Sequence, residues 1–420
     1  MVPNGWEKTD LTHLINIKHG FAFKSEYFRE IGEYILLTPG SFYEKGGFKD
    51  QKEKTKYYIG EIPDSYLLTK NDLLIAMTEQ ASGLLGSALF VPEKNTYLHN
   101  QRLGKVEIKA KERIDLNFLY LTFNSPLARK QISEQSTGTK VKHTSPDKLK
   151  SIICLLPPLP EQQKIAKILS TWDKAISITE RLIDNSTQQK KALMQQLLTG
   201  KKRLLDDEGK RFEGEWEETA LIDTADSKKY SFTGGPFGSD LKSSDYSTTG
   251  VRIIQLQNIG DGCFNNGYKI YTTEEKADQL ISCNIYPNEI IISKMGDPVA
   301  RATLIPDFHS RYLMASDGIR LAVDKSKYNT NFVLETINSS AFRGIALSKS
   351  TGSTRRRIGL TDLKNITFNC PTLPEQQKIA TVLTTAYKEI ELLEQQLADL
   401  QQEKKALMQV LLTGKKRVVV

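Results

Sequence analysis

A chain that writes one long helical segment twice has few folds open to it, and this one does so at residues 159–203 and 373–417. The first copy reads LPEQQKIAKILSTWDKAISITERLIDNSTQQKKALMQQLLTGKKR and the second LPEQQKIATVLTTAYKEIELLEQQLADLQQEKKALMQVLLTGKKR. About 27 of the 45 positions are identical at a constant offset of roughly 214 residues; both ends are near-verbatim and the middle has drifted. In the second copy the apolar residues Ile379, Leu383, Ala386, Ile390, Leu393, Leu397, Leu400, Leu407 and Leu411 follow the seam spacing of a coiled coil, steps of four and three. The first copy keeps the seam less cleanly, at Ile165, Leu169, Trp172, Ile176, Ile183, Leu193 and Leu197. Pro160 and Pro374 suit a first helical position, and the glutamate after each favours the positive end of the helix dipole. Gly200 and Gly414 are stop signals, each followed by a Lys-Lys-Arg that suits the negative end. Each copy is therefore predicted to be one helix of about 40 residues, roughly 60 Å long.

A seam of that length is too long for one compact neighbour to cover, so the two copies are expected to bury their seams against each other. About 170 residues join the end of one helix to the start of the next, enough for a domain roughly 40 Å across. An antiparallel pair brings those two points together; a parallel pair would oblige the domain to span the full helix length. Antiparallel packing then layers Ile165 with Leu411 and Leu169 with Leu407, and sets Trp172 opposite Lys404 and Ala386 opposite Lys190. That geometry predicts a cation–π contact between Lys404 and Trp172.

Around the helices the chain reads as mixed α/β. Residues 1–158 carry strand-like runs at 33–38, 72–77, 87–92 and 104–109, then a helical stretch at 117–131 interrupted or started by Pro126. A Gly/Ser/Thr loop and a strand ending in prolines close the unit. Residues 204–372 repeat this order faintly: Gly214-Glu215-Trp216 resembles Gly5-Trp6, and Ser350-Thr351-Gly352 follows Ser136-Thr137-Gly138 at the helix offset. Phe237 and Ser239 match Phe23 and Ser25 at the same offset, as Asn331-Phe332 matches Asn117-Phe118. The expected plan is an α/β (α+β) chain with pseudo-two-fold symmetry from an internal tandem duplication. It comprises a globule at 1–158, a helix at 159–203, a globule at 204–372 and a helix at 373–417. The helices are alike and the globules diverge, as they would if a shared mechanical part carried two different reading heads.

A net charge of +8 favours an anionic partner without establishing one. Cys154, Cys263, Cys283 and Cys370 show neither CxxC spacing nor matching His pairs, so free thiols in a reducing compartment are expected. The opening MVPNGWEKTDLTH lacks an apolar signal region and no run approaches 18 apolar residues, so a soluble, cytoplasmic chain is expected.

The paired helices that open on LPEQQ and close on LLTGKKR, the diverged halves each ending near an STG loop, and the length together make the chain similar to the specificity subunit of a type I restriction-modification system. The resemblance covers essentially the whole chain. It implies two target recognition domains, each reading one half of a split site on double-stranded DNA. The helices would set the spacing and dock two methyltransferase subunits, with which restriction/motor subunits associate. It further implies a non-catalytic chain with no cofactor of its own: S-adenosylmethionine, ATP and Mg²⁺ belong to the partner subunits.

A search for chemistry agrees with a binding role. There is no Asn/Asp-Pro-Pro-Tyr/Phe methyltransferase motif and no G-x-x-x-x-G-K-[ST] phosphate loop. A nuclease-like pairing of Asp64 with Glu107-Ile108-Lys109 has too long a gap, and Glu107 and Lys109 alternate as solvent-facing strand residues do. DNA-contact candidates remain. Residues 137–143 (TGTKVKH) offer Thr139, Lys140, Lys142 and His143, and residues 351–357 (TGSTRRR) offer Ser353, Thr354, Arg355, Arg356 and Arg357. Both are glycine loops presenting small donors and then cations to phosphate or guanine; a solvated basic turn is the alternative. Gln255, Gln257 and Asn258 alternate along an expected strand and its exit with side chains suited to adenine edges, polar edge-strand residues being the alternative, and Lys294 beside Gly296 is a weaker candidate. The Lys-Lys-Arg ends could complement the dipole, dock a methyltransferase, or both. Two other functions stay open: a protein adaptor without DNA binding, and an enzyme in its own right.

Overall fold

Pro160 and Pro374 enter helices that run unbroken over Leu159–Leu197 and Leu373–Leu411, 39 residues each. A proline in the first turn withholds only an N–H that the helix cannot use. Both helices stop where Gly200 and Gly414 take positive φ (69° and 66°), a backbone region that costs glycine little. The computed structural model describes residues 2–79, 83–93, 95–352 and 355–420. The chain forms two compact units: Met1–Thr179 with Gln396–Val420, and Glu180–Gln395. Each unit thus takes part of both helices.

Within the first unit the start of the first helix runs antiparallel to the end of the second. Ile165, Ala166 and Leu169 share one core with Leu411, and Leu407 packs against it, as antiparallel packing requires. In the second unit Leu197 and Leu198 share a core with Ile379, Ala380 and Leu383, with Leu193 against it. Away from these cores Trp172, Ile176, Ile183, Ala386, Ile390, Leu393, Leu397 and Leu400 are only half-buried. The lysine layer differs from the sequence expectation. Lys404 donates to Asp173 at 2.5 Å rather than covering Trp172. Its counterpart Lys190 stands over Tyr387, 4.8 Å from the ring centre, rather than over Ala386. Both lysines therefore face the residue one position on, where a carboxylate or a phenol ring holds an ammonium better than the neighbouring site.

The repeated motifs at the helix ends meet each other. In the first unit Arg417 donates from Nε and Nη2 to Glu161 at 2.7 Å each. Its guanidinium lies 5.6 Å from the centre of the Trp6 ring, and Trp6 Nε1 donates to the same carboxylate at 3.0 Å. In the second unit Arg203 donates to Glu375 at 2.6 and 2.7 Å beside Trp216. Bidentate Arg–carboxylate pairing of this kind is directional as well as strong. The next residue serves the globule. Gln162 accepts from Asp115 N and donates to the Arg113 and Pro157 carbonyls; Gln376 accepts from Asn329 N and donates to those of Lys327 and Pro371. Asp115 and Asn329 are the N-caps of helices Leu116–Phe123 and Thr330–Asn338, so one glutamine ties each long helix to a globule helix.

The globules share a topology that one sequence could not supply. In the first, antiparallel strands stand in the order Ile15–His19, Leu103–Ile108, Leu73–Ala76, Ala88–Phe90. In the second the order is Phe232–Gly234, Gly318–Leu321, Ile290–Ser293, Ala302–Leu304. A further sheet in each contains a parallel pair, Tyr34–Leu37 with Tyr97–His99 and Val251–Ile254 with Tyr312–Met314. The second globule adds the strand Asn284–Ile285. A two-stranded ribbon closes each globule, Glu7–Thr9 with Cys154–Leu156 and Glu217–Ala220 with Thr367–Cys370. The helical stretch around Pro126 is two helices, Leu116–Phe123 and Pro126–Glu134, with the proline opening the second. No helix is long and apolar enough to cross a membrane among the described residues.

Two stability predictions follow from these contacts. Glu375 is buried, with 1% of its side chain exposed, and Arg203 is its cation. Arg203→Met therefore strands a buried carboxylate and should cost about 3 kcal/mol in denaturant titrations, while adding Glu375→Met should recover much of the loss. Separately, His99 is fully buried and bonds through Nε2 to the Leu103 carbonyl, leaving Nδ1 without a partner. Burial pushes its pKa down to about 4 from 6.5. Between those values the unfolded chain binds the proton and the folded chain does not, so stability should fall as pH drops through that window. A pH series of unfolding midpoints should show the slope in the natural chain and a flatter profile in His99→Gln.

Candidate nucleic-acid interface

The two basic loops are the same piece of backbone. Thr137 and His143 exchange N–H···O bonds at 3.0 and 2.8 Å, and Thr351 and Arg357 do so at 2.8 and 2.9 Å. Each closes a short hairpin in which the glycine after the threonine takes positive φ, 99° at Gly138 and 93° at Gly352. A Cβ at Gly138 would lie 2.1 Å from the Val141 carbonyl oxygen, and one at Gly352 2.7 Å from that of Arg355. Only glycine fits these turns without displacing the other leg.

Each hairpin's second leg then joins the edge of its globule. Lys142 and His143 pair with Glu79 and Thr78, and Thr144 N donates to Met77 O at 2.9 Å. In the other unit Arg357 bridges to Met295, Gly296 N donates to Arg356 O, and Ile358 N donates to Lys294 O at 3.0 Å. The second leg of each hairpin is thus hydrogen-bonded to its globule, as a two-stranded ribbon with Thr78–Glu79 in one unit and through bridges to residues 294–296 in the other.

The side chains sort into three kinds. Thr139, Lys140 and His143 in one hairpin and Arg355 and Arg356 in the other are exposed. The Arg355 and Arg356 guanidinium groups form no hydrogen bond or ion pair with any described residue. Lys142 is half-buried with its Nζ on Ser133 Oγ at 3.3 Å, and Arg357 is paired with Asp317. Ser353 and Thr354 lie outside the described residues. Lys294 is half-buried, donates to the Ser316 carbonyl at 3.3 Å, and has its pKa lowered by burial and by neighbouring Arg357.

The amide candidates need a correction. The strand ends at Ile254, and Leu256–Asn258 form a short 3-10 helix with Gln255 as its N-cap rather than an alternating strand. Asn258 is fully buried: its Oδ1 accepts from Gln255 N at 3.0 Å and its Nδ2 donates to the Asn265 and Tyr268 carbonyls at 2.9 Å each. Every polar atom of that side chain holds a loop together, so it cannot reach a base. Gln255 donates to Tyr246 Oη at 3.3 Å and is half-buried. Gln257 is exposed.

The sequence reading missed what Glu161, Gln162, Glu375, Gln376, Arg203 and Arg417 do. The available signal was the verbatim repetition of PEQ and KKR at the helix ends, read there as dipole complement. The arginines are committed to the helix junctions, whereas Lys201, Lys202, Lys415 and Lys416 remain exposed.

A family profile described as the type I restriction modification DNA specificity domain matches residues 3–186 and 252–402. The chain belongs to this specificity-subunit family. It is 24% identical over 360 residues to the type I restriction enzyme MjaVIII specificity subunit of Methanocaldococcus jannaschii, covering 84% of this chain and 80% of the relative. It is also 24% identical to the EcoBI specificity subunit of Escherichia coli, over 90% of this chain and 78% of that one. The fold is that of the type I S subunit from M. genitalium, at a TM-score of 0.61 and 15% identity over 98% of both chains. A second likeness, to a chain solved in work on assembly and conformational transition of the type I R-M system, has a TM-score of 0.56 at 16% identity. It covers 99% of this specificity subunit and 100% of that chain.

The hairpin geometry makes its own prediction. Gly138→Ala forces a Cβ into the Val141 carbonyl at a positive φ, a strain of roughly 1–2 kcal/mol before the contact is counted. Hydrogen exchange at the His143 amide, which donates to Thr137 O, should accelerate by at least ten-fold while exchange in the Leu73–Ala76 strand stays unchanged.

Proposed function

We propose that this specificity subunit reads a split DNA site, each globule contacting one half through its basic hairpin and the adjoining sheet edge. In this reading residues 1–158 and 204–372 are target recognition domains, and the long helices at 159–203 and 373–417 set the spacing of the half-sites. The observation that carries it is the recurrence of one hairpin in both units, with exposed cations near the turn in each, Lys140 in one and Arg355 and Arg356 in the other. A solvated turn would have no reason to keep the same glycine, the same closing hydrogen bonds and cationic side chains while the rest of each globule drifts. Backbone–phosphate contact from Lys140, Arg355 and Arg356 positions the domain, and residues whose identity differs between the hairpins supply discrimination.

The chain contributes recognition and no chemistry. Two methyltransferase subunits dock on the helices, where the exposed lysines of the Lys-Lys-Arg ends are available, and restriction/motor subunits join through them. S-adenosylmethionine, ATP and Mg²⁺ are held by those partners in the cytoplasm, and the assembly marks host DNA and defends against foreign DNA.

The test is binding of the methyltransferase complex to duplexes with single-base changes in each half-site, at several salt concentrations. Arg357 is held by Asp317, so the double variant Arg355→Ala, Arg356→Ala should lower the slope of log K against log salt by up to about 1.8, roughly 0.9 per lost phosphate contact. Any relaxation of sequence preference should be confined to the half-site read by the second globule. An unchanged slope and unchanged affinity would reduce this hairpin to a solvated turn.

A further inference from the structure

Phe237 is 83% exposed, the most exposed phenylalanine among the described residues. The loop leaves the sheet at Gly234 and crosses the turn at residues 315–318, with Gly235 N donating to Gly318 O at 2.8 Å. The crossing is so close that a Cβ on Gly235 would lie 1.9 Å from the Ala315 carbonyl oxygen. Pro236 is buried, and Asp240 N donates to Phe237 O at 2.9 Å. The backbone is thus pinned on both sides of a ring that points into solvent.

The first unit makes the same crossing and then does the opposite. Gly20 N donates to Leu103 O, and a Cβ on Gly20 would lie 2.1 Å from Asn100 O. This matches Gly20 to Gly235, one residue away from the register that paired Phe23 with Phe237 in the sequence. Beyond the crossing, Phe23 is 8% exposed and packs edge-on against Phe21 and Tyr58. In the second unit no aromatic ring among the described residues packs against Phe237, which stays uncovered.

Hydrogen bonds join the Phe237 loop to the cations of the same unit. The turn that Gly235 crosses also supplies Ser316 O to Lys294 Nζ, Asp317 O to Lys294 N at 2.7 Å, and the Asp317 carboxylate to Arg357. Arg357 and Ile358 bind the 294–296 segment in turn, which places Arg355 and Arg356 on this edge. Of the acids nearby, Asp317 is paired, and Asp240 is exposed and accepts from Ser239 Oγ. An uncovered aromatic ring on a loop bonded to the turn that also holds Lys294 and Arg357 fits duplex DNA: phosphates take the charge, and a rigid apolar side chain enters a groove and packs against a base step.

We propose that Phe237 is a DNA wedge of the second globule, inserted at a base step of the half-site that this globule reads. The inference rests on the preceding reading of the chain. The ring supplies apolar contact and local unstacking, while Arg355, Arg356 and Lys294 supply the electrostatic attraction.

The test uses the full-length chain assembled with its methyltransferase subunits and a duplex carrying the site methylated in the host. Binding is measured across a salt series for the natural chain, Phe237→Ala, Phe237→Trp and the double variant Arg355→Ala, Arg356→Ala, with 2-aminopurine placed in each half-site. Phe237→Ala should weaken specific binding about ten-fold with an unchanged salt slope, because a phenyl ring displaces no counterion. Phe237→Trp should retain most of the affinity. A rise in 2-aminopurine fluorescence in one half-site should occur with the natural chain and be absent with Phe237→Ala. If the double-arginine variant lowers the slope while Phe237→Ala binds and fluoresces like the natural chain, the wedge is wrong and the DNA reading stands. Loss of methyltransferase assembly in Phe237→Ala, with DNA contacts intact, would make the ring a protein contact and also overturn the wedge. Failure of the unsubstituted complex to bind any duplex would remove the reading itself and this inference with it.

Discussion

The arginine–glutamate junction under a tryptophan is the contact on which both units depend. Glu161 and Glu375 are almost fully buried, and a carboxylate in that setting is tolerable only with a cation in good geometry. Arg417 and Arg203 supply it bidentately from the far end of the other helix. The tryptophan that opens each globule closes over the guanidinium, so one cluster fixes a helix start, a helix end and the first residues of a globule. The pair is better evidence for register than for raw stability. An antiparallel seam of leucine and isoleucine tolerates a slip of one heptad, whereas a slip would leave two buried charges unpaired. That asymmetry explains why the ends of the repeated helix are near-verbatim while its middle has drifted: half-buried positions such as the equivalent Ile183 and Leu397 need only stay apolar.

The glutamine that follows performs a second task with the same economy. Gln162 and Gln376 each satisfy the N–H of a globule-helix N-cap, the carbonyl two residues before it, and the carbonyl of a proline that precedes the long helix. The N-cap N–H is among the donors that a helix start leaves without an intrahelical acceptor. The Pro-Glu-Gln triplet therefore encodes helix entry, helix pairing and globule attachment in three consecutive residues.

Much of this was legible in the sequence. The long helices follow from seam spacing, which is a local periodicity, and their antiparallel direction from the length of the connection between them. The strands at 33–38, 72–77, 87–92 and 104–109 are recovered with ends shifted by a residue or two, since each is a short apolar run between turn residues. The order of strands in the sheets was not legible: pairing depends on contacts far apart in sequence that no local pattern encodes. Lys404 was placed against Trp172 instead of Asp173 because a seam register fixes which helices face each other, not which of two adjacent side chains a flexible lysine prefers. Asn258 looked like a base reader because its type is right, and only the fold reveals that its amide is spent on Asn265, Tyr268 and Gln255. The hairpins at 137–143 and 351–357 were visible through their glycines and cations, while the commitment of Arg357 to Asp317 was not.

The globules could diverge so far because their shared shape is carried by backbone. The hairpin closure, the glycine crossings at Gly20 and Gly235 and the strand orders are made by N–H and C=O groups, which every residue but proline provides. Side chains at the hairpin tips and on the crossing loops are therefore free to change without unfolding the domain. Lys140 and His143 can stand where the other unit has Thr354 and Arg357. An aromatic cluster around Phe23 and Tyr58 can likewise stand where the other unit projects Phe237. A recognition domain needs this separation, in which the frame is held by groups common to all sequences and the contacts are made by groups that differ. Two copies of one frame within a single chain can then carry unlike surface side chains, and the strict demand falls on the junction residues, where both copies still agree.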